Sequence, residues 1–338
     1  MALRLVTIFG GSGFIGRQIV QDLASMGVRV RVAVRDPQKA AFLKPLGDLG
    51  QIAPMKVNVA DEQAVARAVE GADAVVNLIG ILYESGRRTF QALHVDAPER
   101  IARLSKAAGV QRFVHMSALG ADPQADAAYA RAKAEGEAAV RRHIPEASIL
   151  RPSVVFGSHD SFFNMFGAMT RLVPALPYYV KDAFRLVRDE TTGRPAIDLG
   201  GSGGPRFQPV YVGDVSEATI KCLTSDAFAG QTFELGGPRA YTMREIMELV
   251  VEQTERRTWV VPVPFWVARI QAKVMGLLPK PLITPDQVKL LERDNVVTGT
   301  LPGFEALGIE PTAAEAILPT YMNRFRPHHR NVILRAPQ

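Results

Sequence analysis

The stretch LRLVTIFGGSGFIGR, residues 3–17, constrains the fold more than any other part of the chain. An aliphatic, β-branched run ends in Gly10, Gly13 and Gly16, and a helix-like sequence follows. A first strand turns into a first helix this way around a dinucleotide pyrophosphate. Gly10 permits the tight turn, Gly13 lets the backbone approach the phosphates, and Gly16 lets the helix pack on the strand. Amides at the helix start then face the anion, and the helix dipole favours its charge. The spacing is G-x-x-G-x-x-G, not G-x-G-x-x-G, so the competing reading is a strand-to-helix turn that binds nothing. Its position directly after LVTIF favours the nucleotide.

The alternation continues. Strand-like runs VRVRVAVR, IAPMKVNV, ADAVVNLIG, QRFVHMSAL and ASILRPSVVFG are separated by helix-like segments such as PQKAAFLKPLG and AAYARAKAEGEAAVRRH. Strands apolar almost throughout suit a parallel sheet covered by helices on both faces. The expectation is an α/β fold with a doubly wound parallel (Rossmann) sheet over residues 1–157, completed by 208–236. A smaller mixed α/β lobe then takes 158–207 and 237–338. Within it Thr242 and Glu245 form a capping box for MREIMELVVEQT, Asp214 is placed to cap a helix, and 178–204 reads as a loop or hairpin.

With 47% hydrophobic and 22% charged residues among 338, the chain is globular in composition. A single cysteine, Cys222, excludes an intramolecular disulfide and a Cys-based metal cluster, and six scattered histidines argue for no metal. The first strand begins at once, without room for a signal or transit peptide, and no apolar run is long enough to span a bilayer. A cytoplasmic protein is expected, soluble or peripheral on the inner face of the cell membrane. The net charge of +6 is diffuse, which argues against nucleic acid and suits an acidic lipid surface or protein partner.

The choice of dinucleotide turns on the end of the second strand. Asp36 stands where an acidic residue holds the ribose hydroxyls of NAD(H), yet with Pro37 behind it the same residue makes a good helix cap. Arg35, joined by Arg17, would present guanidinium groups to a 2′-phosphate. The side-chain chemistry favours NADP(H), with NAD(H) second. Asn58, followed by Val59, could bond the adenine edge or simply make a turn. Tyr129 and Lys133 stand four apart on one helix face, after the strand that ends in Ser117. A neighbouring lysine is expected to lower the tyrosine pKa and make Tyr129 an acid or base for a carbonyl or alcohol. Lys133 could equally hold the nicotinamide ribose.

GGSGFIG, VNLIG, HMSALGA, YARAKAEGE, ILRPSVVFG, QPVYVGDVSEA and FELGGP, in this order, resemble the short-chain dehydrogenase/reductase superfamily of the extended or atypical kind. YARAKAEGE, RPSVVFG with FFNMF, QPVYVGDV and PDQVKLLERDNVV are similar to the nucleotide-binding accessory subunit family of respiratory complex I and its bacterial relatives. The resemblance implies a tightly held NADPH. Its contacts would be Gly10, Ser12, Gly13, Phe14, Ile15, Gly16, Arg17, Arg35, Asn58, Val59, Leu78, Ile79, Gly80, Ser117, Tyr129, Lys133, Pro152, Ser153, Val154 and Val155. It also implies a structural part in a membrane-associated complex or in quinone metabolism. One departure stands out: active extended members carry further hydroxyl residues after the strand-end serine, whereas Ala118 and Leu119 follow Ser117 here. If Ser117 serves, the triad Ser117, Tyr129, Lys133 is complete, and a true NAD(P)H-dependent oxidoreductase or epimerase stays open.

In the last part, PVPFWVARIQAKVMGLLPKPLI places Val267, Ile270, Val274 and Leu277 on one helix face with basic residues elsewhere. This face either packs inside the lobe or lies in a membrane interface. The final 18 residues hold four arginines and no acid, as a solvated tail or one that docks on an acidic surface.

Overall fold

Alternate residues of the first strand serve opposite layers of helices, which fixes where everything else can go. The computed structural model describes residues 3–181, 185–188, 195–198, 201–276 and 283–327, with 185–188 and 195–198 as backbone. The strands β1 (Leu5–Phe9), β2 (Arg29–Val34), β3 (Ile52–Lys56), β4 (Ala74–Asn77), β5 (Arg112–Met116) and β6 (Ser148–Pro152) are all parallel. A seventh strand, Thr232–Leu235, joins β6, giving the order Thr232–Leu235, β6, β5, β4, β1, β2, β3. The order reverses between β1 and β4, and at such a point the carboxyl ends of the strands open a crevice.

Helices α1 (Phe14–Ser25), α2 (Glu62–Val69), α3 (Ala97–Ala107), α4 (Ala128–His143), α5 (Phe162–Met169) and α6 (Val212–Thr224) follow in chain order. Val6 and Ile8 enter one core with Ile19, Leu23 and Val215, from α1 and α6. Phe9 enters the opposite core with Val65, Ile101 and Val140, from α2, α3 and α4. The hydroxyl of Thr7, on that second face, donates to the Ala68 carbonyl at 2.7 Å. Two buried faces explain why the strands read as unbroken apolar runs.

Two local expectations are corrected. PQKAAFLKPLG forms a 3-10 turn over Ala41–Leu46, because Pro45 removes an amide an α-helix would use. Asp214 is not the cap of α6, which starts at Val212 after Tyr211. Its carboxylate instead accepts from the Thr312 amide at 2.7 Å and hydroxyl at 2.8 Å. FQALHVDAPERI starts with a π-helical turn, Gln91–Asp96, before α3. The Thr242–Glu245 capping box is present at the start of α7 (Met243–Thr254). Arg185–Arg188 and Pro195–Asp198 pair as an antiparallel hairpin, while the rest of 182–200 lies outside the described residues.

A third core gathers Phe156, Phe163, Tyr178, Ile246 and Leu318 around α5, α7 and α10 (Ala314–Met322). Between α7 and α10 come α8 (Phe265–Met275) and α9 (Pro285–Leu291). The chain from 237 onward contributes to this core and to the one beneath α1 and α6. Phe304, Leu307 and Ile309 return to the sheet's core, and the Pro302 carbonyl accepts from the Glu234 amide on the outer strand at 2.9 Å. α8 packs on α9 through Phe265, Ala268, Ala272 and Val288. Its Trp266, Ile270 and Val274, spaced by four, are more than half exposed, and Val267 is half-buried. Leu277 lies outside the described residues. Among the described residues no helix is long and apolar enough to cross a membrane.

The start of α4 has no capping side chain of its own; Ala127 holds that position. Asp286 of α9 supplies one, its carboxylate accepting from the Ala128 amide at 2.7 Å and the Tyr129 amide at 3.0 Å. Beside it Arg293 pairs with Asp126 at 2.6 Å, and Leu290 packs on Ala125, Ala127 and Ala130. Replacing Asp286 by Ala should lower stability by about 1–2 kcal/mol, the worth of a good N-cap. Urea denaturation with an unchanged slope would read this loss directly.

Candidate nucleotide site

Gly10 ends β1 with φ +83, in the left-handed region, and a methyl group there would press on the Leu78 carbonyl group at 3.3 Å. The chain therefore turns away from β1 at its closest approach to the end of β4. Gly13 is the extended N-cap of α1 and offers no side-chain hydrogen bond, so the first-turn amides lack a capping group. At Gly16 a methyl group would come within 2.5 Å of the Gly11 Cα. That close contact seats α1 on the loop. Ser12 lies half-exposed at the loop, Ile15 packs on the first core, and the Phe14 ring faces Gly157.

Past the third glycine, the Arg17 guanidinium stacks over the Phe42 ring at 4.9 Å, while its Nε is buried without a partner. Arg35 is exposed at the end of β2 and has no hydrogen-bond or carboxylate partner among the described residues. Asp36 is engaged: its carboxylate accepts from the Gln38 amide at 3.0 Å and the Lys39 amide at 3.3 Å. Asn58 uses its side-chain oxygen on the Ala60 amide at 3.1 Å, as a turn asparagine does. The Val59 carbonyl accepts from Arg100 at 2.9 Å.

The end of β4 connects this loop to α4. Leu78 and Ile79 border Gly10, and a methyl group on Gly80 would lie 3.6 Å from both the Lys133 Nζ and the His94 Nε2. Lys133 is buried, with its Nζ donating to the Met116 carbonyl at 3.1 Å and lying 5.9 Å from the Tyr129 ring centre. Burial pushes its pKa down to about 8, with the Glu137 charge opposing. An ammonium carries three donors, and one is used.

The histidines here were not singled out in the sequence. His94, on the π-helical turn, accepts from the Ile81 amide at 3.0 Å through Nε2 and leaves Nδ1 buried and unpartnered. His115, on β5, faces the Asn77 amide at 3.1 Å through Nδ1 and leaves Nε2 unpartnered. Burial, reinforced by the Lys133 charge, lowers both to about 3. Phe90, His94 and Tyr129 form an aromatic cluster with centroids 5.3–5.8 Å apart. Gly136 lets α4 reach this turn, since a methyl group there would sit 1.9 Å from the His94 carbonyl oxygen. An ionisable residue in an apolar strand, as in RFVHM, was the available signal for His115.

The expected effect of Lys133 on Tyr129 is corrected. Burial raises the Tyr129 phenol to about 12, and the amine, drawn to the Met116 carbonyl, does not offset it. Ser117 is likewise committed, its hydroxyl donating to the buried Glu137 carboxylate. Arg151 clamps that carboxylate with two bonds, at 2.8 and 2.7 Å. Pro152 accepts from the Leu119 amide at 3.0 Å, and the Val154 carbonyl from the Val210 amide at 3.0 Å. Val155 lies in a short parallel pair with Val210. Ser153 turns away, with its hydroxyl on the Asn295 side chain at 2.7 Å. The structure thus brings together Gly10, Leu78, Gly80, Lys133 and Tyr129 through successive contacts, and points Ser117, Ser153 and the Asn58 oxygen elsewhere.

The residues present fit a nicotinamide dinucleotide: an uncapped helix start, an orphaned Arg17 Nε, a free Arg35 and two spare ammonium donors on Lys133. Two outcomes follow from the buried charges. The histidines bind protons in the unfolded chain near pH 6.5 but in the folded chain only near 3. Stability should therefore hold above pH 6.5 and fall below it by about 2.7 kcal/mol per pH unit for the pair. His94→Phe should halve that slope in denaturation measured from pH 7 to 4. Lys133 acts with the same sign in a higher window, since its charge costs the folded state most below about pH 8 and that cost fades as pH rises to the unfolded value of 10.5. Lys133→Met should stabilise the nucleotide-free protein by about 1–3 kcal/mol at pH 7, with the gain shrinking between pH 8 and 10, and should weaken nucleotide binding. Thermal melts with and without nucleotide would measure both.

A family model described as NAD(P)H-binding matches residues 10–158. The mouse protein named NADH dehydrogenase [ubiquinone] 1 alpha subcomplex subunit 9, mitochondrial, is 34% identical over 96% of this chain and 81% of its own length. The NADH-ubiquinone oxidoreductase 40 kDa subunit of Neurospora crassa is 31% identical over 95% of this chain and 79% of its own. Among solved structures, the UDP-glucose 4-epimerase of Thermus thermophilus in complex with NAD superposes with a TM-score of 0.67, at 20% identity. That match covers 96% of this chain and 100% of the epimerase, and it establishes likeness of fold. The chain accordingly belongs to the family of these NADH dehydrogenase subunits, with an NAD(P)H-binding domain over residues 10–158.

Proposed function

We propose that this chain holds NADP(H) as a fixed element of a membrane-associated respiratory assembly of the complex I type, or a related quinone system, and does not turn over a soluble metabolite. The observation that carries this reading is the state of the candidate hydroxyls. Ser117 donates into the Glu137 carboxylate, and the Tyr129 phenol lies near 12. A serine bonded this way cannot polarise a substrate oxygen, and a phenol that high exchanges protons poorly at neutral pH. A bound nicotinamide dinucleotide supplies a hydride donor or acceptor. Lys133 offers two donors to its ribose, and the uncapped start of α1 takes the pyrophosphate.

The choice of NADP(H) over NAD(H) rests on the pair at the end of β2. Asp36 is occupied by the turn it caps, while Arg35 is free to meet a 2′-phosphate. Peripheral membrane docking, on the inner face of the cell membrane, rests on α8. It shows Trp266, Ile270 and Val274 to solvent, flanked by Arg269 and Lys273. The relatives named as NADH dehydrogenase subunits match over nearly the whole chain and support the same assignment.

Mass spectrometry of nucleotide released from the purified protein should find NADPH, and the protein should sediment with membranes. Arg35→Ala should weaken NADPH about 10- to 100-fold, the worth of a charge-assisted bond to phosphate, and leave NADH nearly unchanged. Tighter binding of NADH than NADPH by the unmodified protein would overturn the NADP(H) assignment. Turnover of a soluble ketone or sugar nucleotide, abolished by Tyr129→Phe, would replace the holding role with an enzymatic one.

A further inference from the structure

An open depression of about 460 Å³ lies between the turn after α5 and the turn after α7, and shares no residue with the nucleotide site. Arg171, Arg256 and Arg257 are among the residues that line it. Its one acid, Glu255, is engaged by Arg326 at 2.9 Å, so the lining keeps a surplus of positive charge. Two of the cations are held in place from behind. Arg171 donates to the Arg324 carbonyl and stacks over the Phe325 ring at 5.2 Å, and the Arg256 Nε donates to the Phe325 carbonyl at 2.6 Å. Each guanidinium has five donors, so anchoring leaves most of them unused. Arg257 has no hydrogen-bond or carboxylate partner among the described residues. The chain reaches Arg256 and Arg257 through Glu255 at φ +50, a conformation that residues with side chains rarely adopt.

The rim is apolar and exposed. Leu172 lines the depression with 82% of its surface free, and Trp259, whose amide donates to the lining residue Pro174, is 76% exposed. Arginines beside an exposed leucine, with an exposed tryptophan adjoining, match a ligand with an anionic head and a hydrocarbon body. A soluble phosphate would need the arginines alone and leave the apolar rim without a purpose.

We propose that this depression binds the phosphate headgroup of an anionic phospholipid, with Leu172 and Trp259 meeting the acyl region. The proposal deepens the membrane-docking reading and rests on it, but not on nucleotide binding. The test is co-sedimentation of the full chain with vesicles of phosphatidylcholine, alone or mixed with phosphatidylglycerol. The expected result is a preference for the mixed vesicles that Arg257→Gln lowers about fivefold, the effect of one basic charge at an anionic surface. Binding to neutral vesicles and nucleotide content should not change in that variant. Leu172→Ser should weaken binding to both vesicle types. Equal binding by Arg257→Gln and the unmodified protein to mixed vesicles would overturn the proposal and leave docking through α8 standing. No binding to either vesicle type would remove both. Saturable uptake of glycerol phosphate that Arg257→Gln abolishes, without a preference for mixed vesicles, would assign the arginines to a soluble phosphate and overturn the lipid.

Discussion

Lys133 reaches the carboxyl edge of the sheet as an ammonium that finds a single carbonyl, on Met116. Its surroundings give it little else. His94 and His115 are held neutral, and the nearby Glu137 is already bonded to Arg151 and Ser117. A buried charge so poorly matched works against the fold unless something else meets it. Glycines adjoin it, since Gly80 lies beside the amine and Gly10 brings the phosphate loop alongside Leu78. Folding and nucleotide binding are linked through this one side chain, because a ligand that meets the ammonium stabilises the folded state alone.

Much of the sheet was legible because each strand is buried on both faces and carries the same apolar signature throughout. The glycine loop and the four-residue spacing of Tyr129 and Lys133 were legible for a similar reason, as local geometry. What could not be read was how distant groups choose partners. Helical spacing places Lys133 beside Tyr129, but the Met116 carbonyl, on another element, decides which way the amine turns. Ser117 looked like a free hydroxyl until Glu137 of α4 and Arg151 of β6 closed around it. Asp214 has the chemistry of a helix cap, yet Thr312 claims it from nearly a hundred residues away. The apolar stripe of α8 suits an inner or outer face equally. Small residues settle it, as Ala268 and Ala272 let α9 approach and turn Ile270 and Val274 outward.

Asp286 links two distant parts of the molecule. It completes the first turn of α4 at the backbone of Tyr129, and its own helix, α9, carries α8 on another side. The helix that presents Lys133 to the crevice and the helix that shows tryptophan and isoleucine to solvent are thus separated by one short element. Motion of α9 would be felt at both, through a carboxylate bond at one end and apolar contact at the other.

The outermost strand, Thr232–Leu235, has its free edge met by the Pro302 segment, with Phe304, Leu307 and Ile309 fastened in the core beside it. An uncovered parallel edge is a template for pairing with other chains. A copy clipped ahead of that segment would keep its glycine loop but lose its guard, and would be drawn into aggregates instead of surviving as a smaller nucleotide carrier.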